Sequence, residues 1–277
     1  MTLAIAREGK YIIPRYRERA VSSMKIEVNG IDVNYRTQGE GQTLVLLHGW
    51  GADIRCFDRI FRDLSESHRV IALDLPGFGL SGDPAGEWGV GDYAGFVKAF
   101  LAKLGVDRML LLGHSFGGRI SIKLATDPEF APRIEKIVLT GSAGLKRKRS
   151  FWGKVRGAIR KIMRGILKAS GMSKVFPALY DKLGRRFASR DYLAATPLLR
   201  ECLKKVVAED LAPLLPGIAA PTLLIWGRND TETPVADGYT MQSLIPGARL
   251  EVLDNAGHFA FLNHPGKFSA LLKEFLR

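Results

Sequence analysis

The chain has 277 residues, of which 46% are apolar and 25% charged; these ordinary globular proportions exclude wholesale disorder and collagen-like or low-complexity classes. Two cysteines, Cys56 and Cys202, exclude a disulfide framework, and no Cys/His cluster points to zinc. The net charge is +13, from 41 Lys+Arg against 28 Asp+Glu, and no apolar run approaches the ~20 residues of a membrane span.

Residues 1–23 read as a basic N-terminal arm or as sequence upstream of the true start, since Met24 opens the first strand-like run. Arg7 and Lys10 are followed only by Tyr11-Ile12-Ile13 before Pro14. That is no secretory signal, so a cytoplasmic location is expected, with peripheral membrane association as an extension. Lys25–Asn29 and Asp32–Thr37 flank Gly30 and predict a β-hairpin. Short apolar runs follow at Thr43–Leu47, Arg69–Leu73, Met109–Leu112, Lys136–Thr140 and Thr222–Trp226, most of them closed by glycine. Runs of this kind fit strands covered on both faces. Helical spacing appears at Tyr93, Phe96, Val97, Phe100, Leu101 and Leu104, and again after Ser115 through Ile120, Ile122, Leu124 and Ala125. Val235–Leu244 is helical, Arg249–Leu253 is a strand, and a last helix runs through Phe268 and Phe275. The alternation predicts an α/β fold, a doubly wound and mostly parallel β-sheet flanked by helices, with sites at the carboxyl ends of strands.

The alternation breaks across residues 143–216, which read as a basic helical lid inserted between two parts of the core, 24–142 and 217–277. From Lys146 to Arg190 there are 15 Lys/Arg against the single acid Asp181, a net +14 that leaves the rest of the chain near neutral. Phe151, Val155, Ile159, Ile162, Met163 and Ile166 share one side of a helical wheel, opposite Arg160, Lys161, Arg164 and Lys168. One apolar face is needed simply to cover a site. The charge adds the expectation of an acidic partner, either an anionic membrane surface or an acidic acyl carrier protein. No recognised binding motif accompanies the charge, so nucleic acid is not expected.

Gly113-His114-Ser115-Phe116-Gly117 is a G-x-S-x-G pentapeptide between a strand and a helix, the setting in which a serine is held on a tight turn as nucleophile. Its other role would be to cap the following helix. A serine needs a general base, and the base an orienting carboxylate. Of five histidines, His258 follows the last strand at the same sheet edge. His114 is expected to pack on the other side of the turn, His68 lies before a strand, and His264 precedes Pro265 at a helix entry. His48 stands in His48-Gly49-Trp50-Gly51. Asp230 follows the strand Thr222–Trp226, with Glu232 and Asp254 as competing acids. Two donors toward a developing oxyanion are expected from the backbone N–H groups of Trp50 and Phe116, and Gly49, Trp50 and Phe116 are expected to line the substrate pocket. No metal or organic cofactor is needed.

These motifs, with Asp74-Leu75-Pro76-Gly77-Phe78-Gly79-Leu80-Ser81 and Gly227-Arg228-Asn229-Asp230, closely resemble the α/β-hydrolase superfamily over Lys25–Arg277. The resemblance implies Ser115 as nucleophile, Asp230 as triad acid and His258 as base. Ser115 sets the chain apart from members that use an aspartate nucleophile. Within the superfamily the motifs look like those of carboxylesterases, so a serine hydrolase acting on a small-molecule acyl ester is expected. Serine C–C hydrolases share much of the set, and a non-catalytic receptor of the same fold is a further alternative.

Overall fold

The computed structural model describes residues 23–146 and 193–277. Eight strands form one sheet: β1 (Met24–Val28), β2 (Ile31–Gln38), β3 (Thr43–Leu47), β4 (Arg69–Leu73), β5 (Met109–His114), β6 (Ile134–Thr140), β7 (Thr222–Gly227) and β8 (Arg249–Leu253). Their order across the sheet is β1-β2-β4-β3-β5-β6-β7-β8. The pairs β1·β2 and β2·β4 are antiparallel, and every other pair is parallel. The helices are α1 (Asp58–Ser65), α2 (Val90–Lys103), α3 (Phe116–Ala125), α4 (Pro197–Ala208), α5 (Val235–Leu244), α6 (Ala260–Asn263) and α7 (Pro265–Leu276).

The apolar runs are continuous because the central strands are buried on both faces. Val45, Ile71, Leu111, Ile137 and Leu224 point into one core, beneath α2, α3, α4 and α5. Their neighbours Leu44, Val70, Leu110, Val138 and Leu223 point into the other, beneath α1 and α7. The two-residue side-chain period of a strand divides each run between the two cores.

Small boundary differences have local causes. Asn29 ends no strand; with Gly30 it forms the hairpin turn, and both have positive φ (50° and 77°). Gly113 does not terminate β5, which continues to His114 and pairs as far as Thr140. Helix α1, with buried Ile60, Phe61 and Leu64, was not legible as a period. Most of the expected N-terminal arm, and residues 147–192 of the expected lid with the stripe from Phe151, lie outside the described residues. The described end of that stretch is helical: Thr196 caps α4, its side chain accepting from the Leu199 N–H, and a 3-10 segment follows at Ala212–Gly217. Helix α4 packs Leu199, Cys202 and Val206 into the first core.

Candidate active site

The parallel strands end at one edge, and the loops that leave it carry the expected residues. Gly49 and Trp50 follow β3, Ser115 and Phe116 follow β5, Asp230 follows β7 and His258 follows β8. All except Asp230 line one cavity, together with His114, Arg119, Glu232 and Thr233.

Ser115 is one of three non-glycine residues with positive φ among the described residues, at φ 52° and ψ −109°. An L-residue adopts this conformation only where its surroundings enforce it. The enforcement is visible on both sides. The Ser115 N–H donates to the Thr140 carbonyl at 3.2 Å, and its carbonyl accepts from Gly118 and Ala143 at 3.0 and 3.1 Å. A Cβ at Gly117 would collide with the Leu47 carbonyl, so the turn presses directly on the end of β3. Ser115 occupies the N-cap position of α3, yet its side chain makes no capping bond. The hydroxyl is therefore not consumed by the helix.

Asp230 is held by four donors. Its Oδ1 accepts from the N–H groups of Glu232 and Thr233, both at 2.9 Å. Its Oδ2 accepts from Thr233 Oγ1 and from His258 Nδ1, both at 2.9 Å. Since a carboxylate only accepts, the hydrogen of the neutral imidazole sits on Nδ1, and Nε2 keeps its lone pair. The loops of Asp230 and His258 meet because Asn229 N–H donates to the Ala256 carbonyl at 2.8 Å, and Gly227 leaves no room for a Cβ against residues 256 and 257. The competing acids are elsewhere: Glu232 is exposed at the cavity rim, and Asp254 pairs with Arg228.

Phe116 is the first residue of α3, where an N–H has no acceptor within its own helix. Trp50 packs edge-on to Phe116 and Phe78, with ring centroids 5.2 and 4.9 Å apart. A serine hydroxyl, an imidazole fixed by a carboxylate, and a helix N-terminus on one cavity are able together to move a proton, form a covalent bond to carbon and accommodate negative charge on oxygen.

A family model for the α/β hydrolase fold matches residues 42–265. The chain belongs to the α/β-hydrolase fold family. This α/β hydrolase is 29% identical, over 88% of its length and 90% of the relative's, to a 2-hydroxy-6-oxononadienedioate/2-hydroxy-6-oxononatrienedioate hydrolase of Escherichia coli K12. Among solved structures it resembles a bacterial membrane phospholipase A described as a virulence factor, with 28% identity, TM-score 0.71 and coverage of 92% of this chain and 85% of that one. It also resembles the enol-lactonase of Burkholderia xenovorans LB400, with 25% identity, TM-score 0.70 and coverage of 91% and 99%. The strand order, with β3 between β4 and β5, is the frame on which this α/β hydrolase carries its loops.

The remaining histidines have structural partners. His48 is fully buried; its Nε2 accepts from the Leu75 N–H at 3.0 Å and its Nδ1 donates to the Gly49 carbonyl at 2.8 Å, tying the β3 and β4 loops together. Burial pushes its pKa down. His68 lies at the opposite edge, entering β4, and His264 enters α7. His114 is packed, as expected, but it is not remote from His258. Its ring lies 4.7 Å from the His258 ring, and its Nε2 is 3.1 Å from the His258 carbonyl. Two further residues went unread in the sequence. Thr233 Oγ1 stands 2.9 Å from Asp230 Oδ2, 3.2 Å from His258 Nδ1 and 2.9 Å from the Gly141 carbonyl. Arg119, one turn beyond Ser115 on α3, is 6% exposed. Among the described residues no group of three metal-ligating side chains occurs, and no helix is long and apolar enough to cross a membrane.

Proposed function

We propose that this α/β hydrolase is a serine esterase that cleaves a carboxylic ester of a small molecule through an acyl-enzyme. The observation that carries the reading is the strained Ser115, whose hydroxyl caps nothing, on the same cavity as a His258 paired to buried Asp230. Ser115 Oγ attacks the ester carbonyl carbon while its proton passes to His258 Nε2. The N–H groups of Trp50 and Phe116 receive the oxyanion. The C–O bond breaks, the alcohol leaves with the proton from His258, and water releases the acid by the same steps in reverse order. Asp230 fixes the imidazole tautomer throughout. The test is burst release of chromophore from a short p-nitrophenyl ester, with burst size matching enzyme concentration and vanishing in Ser115→Ala.

A second reading is C–C bond hydrolysis on the same residues, favoured by similarity to the E. coli 2-hydroxy-6-oxononadienedioate hydrolase. Turnover of a 2-hydroxy-6-oxodienoate with no ester burst would select it. The basic insert across residues 143–216 is proposed to be a lid that docks on an acidic surface, anionic lipid or an acidic acyl carrier. The likeness to a membrane phospholipase A supports the lipid. Co-sedimentation with anionic but not neutral vesicles, lost at high salt and on reversing Arg160, Lys161 and Arg164 to Glu, is expected. Vesicle binding that ignores both salt and these charges would leave only a solvated basic face.

A further inference from the structure

Arg119 takes no part in the chemistry above, yet it is among the most buried charged groups of the structure. It is 6% exposed and lines the same cavity as Ser115. Charged groups are rarely buried to this degree unless paired. Here the pairing is incomplete. Nη1 donates to the backbone carbonyl of Glu209, at the C-terminal end of α4, at 2.9 Å. That acceptor is neutral. The nearby carboxylates are engaged by others: Glu209 pairs with Lys123 at 2.6 Å, and Asp210 Oδ1 accepts from the N–H groups of Lys146 and Ala212, both at 3.1 Å. Among the described residues no Asp or Glu lies within ion-pair distance of Arg119, although the charges of Glu209 and Asp210 act on it from farther off and oppose the effect of burial. Burial pushes its pKa down, but a guanidinium starts so high that it stays charged.

The position is as informative as the charge. Arg119 lies four residues after Ser115 on α3, and its N–H points back to the Ser115 carbonyl. Ser115 stands at the N-cap of the helix and Arg119 one turn into it, and both line the same cavity. The cavity is small, about 190 Å³, so an acyl group attacked at Ser115 comes close to this wall. Trp50, Phe116, Leu203 and Val206 give the same cavity much of its apolar lining, and Glu232 lines it from the exposed rim. A guanidinium has five N–H donors in a planar fork, and one carbonyl leaves most of them for a ligand.

We infer that Arg119 forms a carboxylate subsite, and that the substrate is an ester whose acyl arm carries a carboxylate a few bonds from the scissile carbonyl. The inference rests on the proposed ester hydrolysis for its reaction, but the subsite binds whether or not that reaction is right. The carboxylate would supply a counter-charge in direct contact, through paired N–H···O bonds, the strong form of charge-assisted hydrogen bonding. Fastening α4 by its terminal carbonyl is the role Arg119 would retain if no anion bound.

The experiment compares p-nitrophenyl monoesters of glutaric and adipic acid with neutral p-nitrophenyl valerate and hexanoate. Wild-type kcat/KM should favour the carboxylated ester of each pair by roughly tenfold to a hundredfold, chiefly through KM. Arg119→Met should collapse that ratio toward one, and Arg119→Lys should recover part of it. A second measurement needs no turnover and no variant: calorimetric binding of glutarate to the wild-type protein. Glutarate binding that is lost in Arg119→Met, with no ester hydrolysed, would remove the proposed reaction and keep the subsite. Wild-type turnover that is equal for charged and neutral esters, with no glutarate binding, overturns the subsite and keeps the esterase. A folding failure of Arg119→Met leaves both wild-type measurements to decide.

Discussion

The Nε2 of His114 lies 3.1 Å from the carbonyl oxygen of His258, so the residue before Ser115 holds the backbone of the loop that brings the imidazole to it. An oxygen acceptor requires the hydrogen on Nε2, which makes the ring a neutral donor. Burial and the adjacent His258 push the pKa of His114 well below the ordinary histidine value. In the unfolded chain the same ring titrates near ~6.5. Below that pH the unfolded state binds a proton that the folded state refuses, so stability falls as the medium is acidified. The loss begins near pH ~6.5 and continues until the folded-state pKa is reached, at about 1.4 kcal/mol per pH unit. His48, lowered by burial, adds to it in the same direction. Urea midpoints measured from pH 8 down to 5 should decline, and His114→Asn should flatten the decline. A midpoint that rises on acidification would contradict the account.

The two candidate acids near β7 are separated by a single comparison. Asp230→Asn keeps the shape but offers an amide where His258 Nδ1 needs an acceptor, and a loss of about 10³–10⁴ in kcat is expected. Glu232→Gln alters only the exposed rim and should stay within a few-fold of wild type. Steady-state kinetics on one p-nitrophenyl ester decides; the reverse ranking would move the acid to Glu232.

Thr233 gives a finer test of orientation. Its hydroxyl has one proton and three polar neighbours, Asp230, His258 and the Gly141 carbonyl. Donation to the carboxylate holds Oδ2 in line with Nδ1. Thr233→Val keeps the volume and removes the donor, so kcat should fall roughly tenfold to a hundredfold, as for loss of one hydrogen bond to a charged group. Thr233→Ser should restore most of it. Equal losses for Val and Ser would mean that packing of the methyl group, not the hydroxyl, is what matters.

Glycine substitutions of opposite sign test the turn. Gly117→Ala drives its Cβ into the Leu47 carbonyl, a backbone atom in the middle of the sheet. The cost should be at least the ~1–3 kcal/mol typical of overpacking. Gly95→Ala on the exposed face of α2 meets nothing within 4 Å and should stabilise by about 0.5–1 kcal/mol. Urea denaturation of the three proteins measures both.

Turnover should also survive exhaustive treatment with a chelator, because the proposed nucleophile and base are both side chains. Recovery of a chelated, inactive sample by one divalent metal would overturn the mechanism.

The sheet was legible because each central strand is short, holds a continuous apolar run and is closed by a turn signal, the pattern left when both faces are buried. The order of strands was not, since β3 inserts between β4 and β5 by crossovers that leave no local trace. Helix α1 escaped notice because eight residues give barely two turns of period. The expected site residues stood in motifs beside strand ends, where glycines and a serine have few other reasons to cluster. Arg119 was hidden by its neighbours. In α3 even Arg119 and Ser121 are buried, so the helix has no polar face against which a functional charge stands out. Thr233 and His114 act through bonds to residues 25 and 144 positions away, a relationship no local spacing encodes.

That separation has a temporal side. During synthesis the Ser115 turn leaves the ribosome well ahead of His258, and at ~5–20 residues per second the gap of 144 positions back to His114 takes roughly seven to thirty seconds to fill. Through most of that interval β7 and β8 have not been made; the Asp230 carboxylate arrives just after β7, and the His258 imidazole only after β8. On the proposed mechanism a nascent chain therefore stays silent toward acyl compounds until the loop beyond the last strand brings His258 to Ser115.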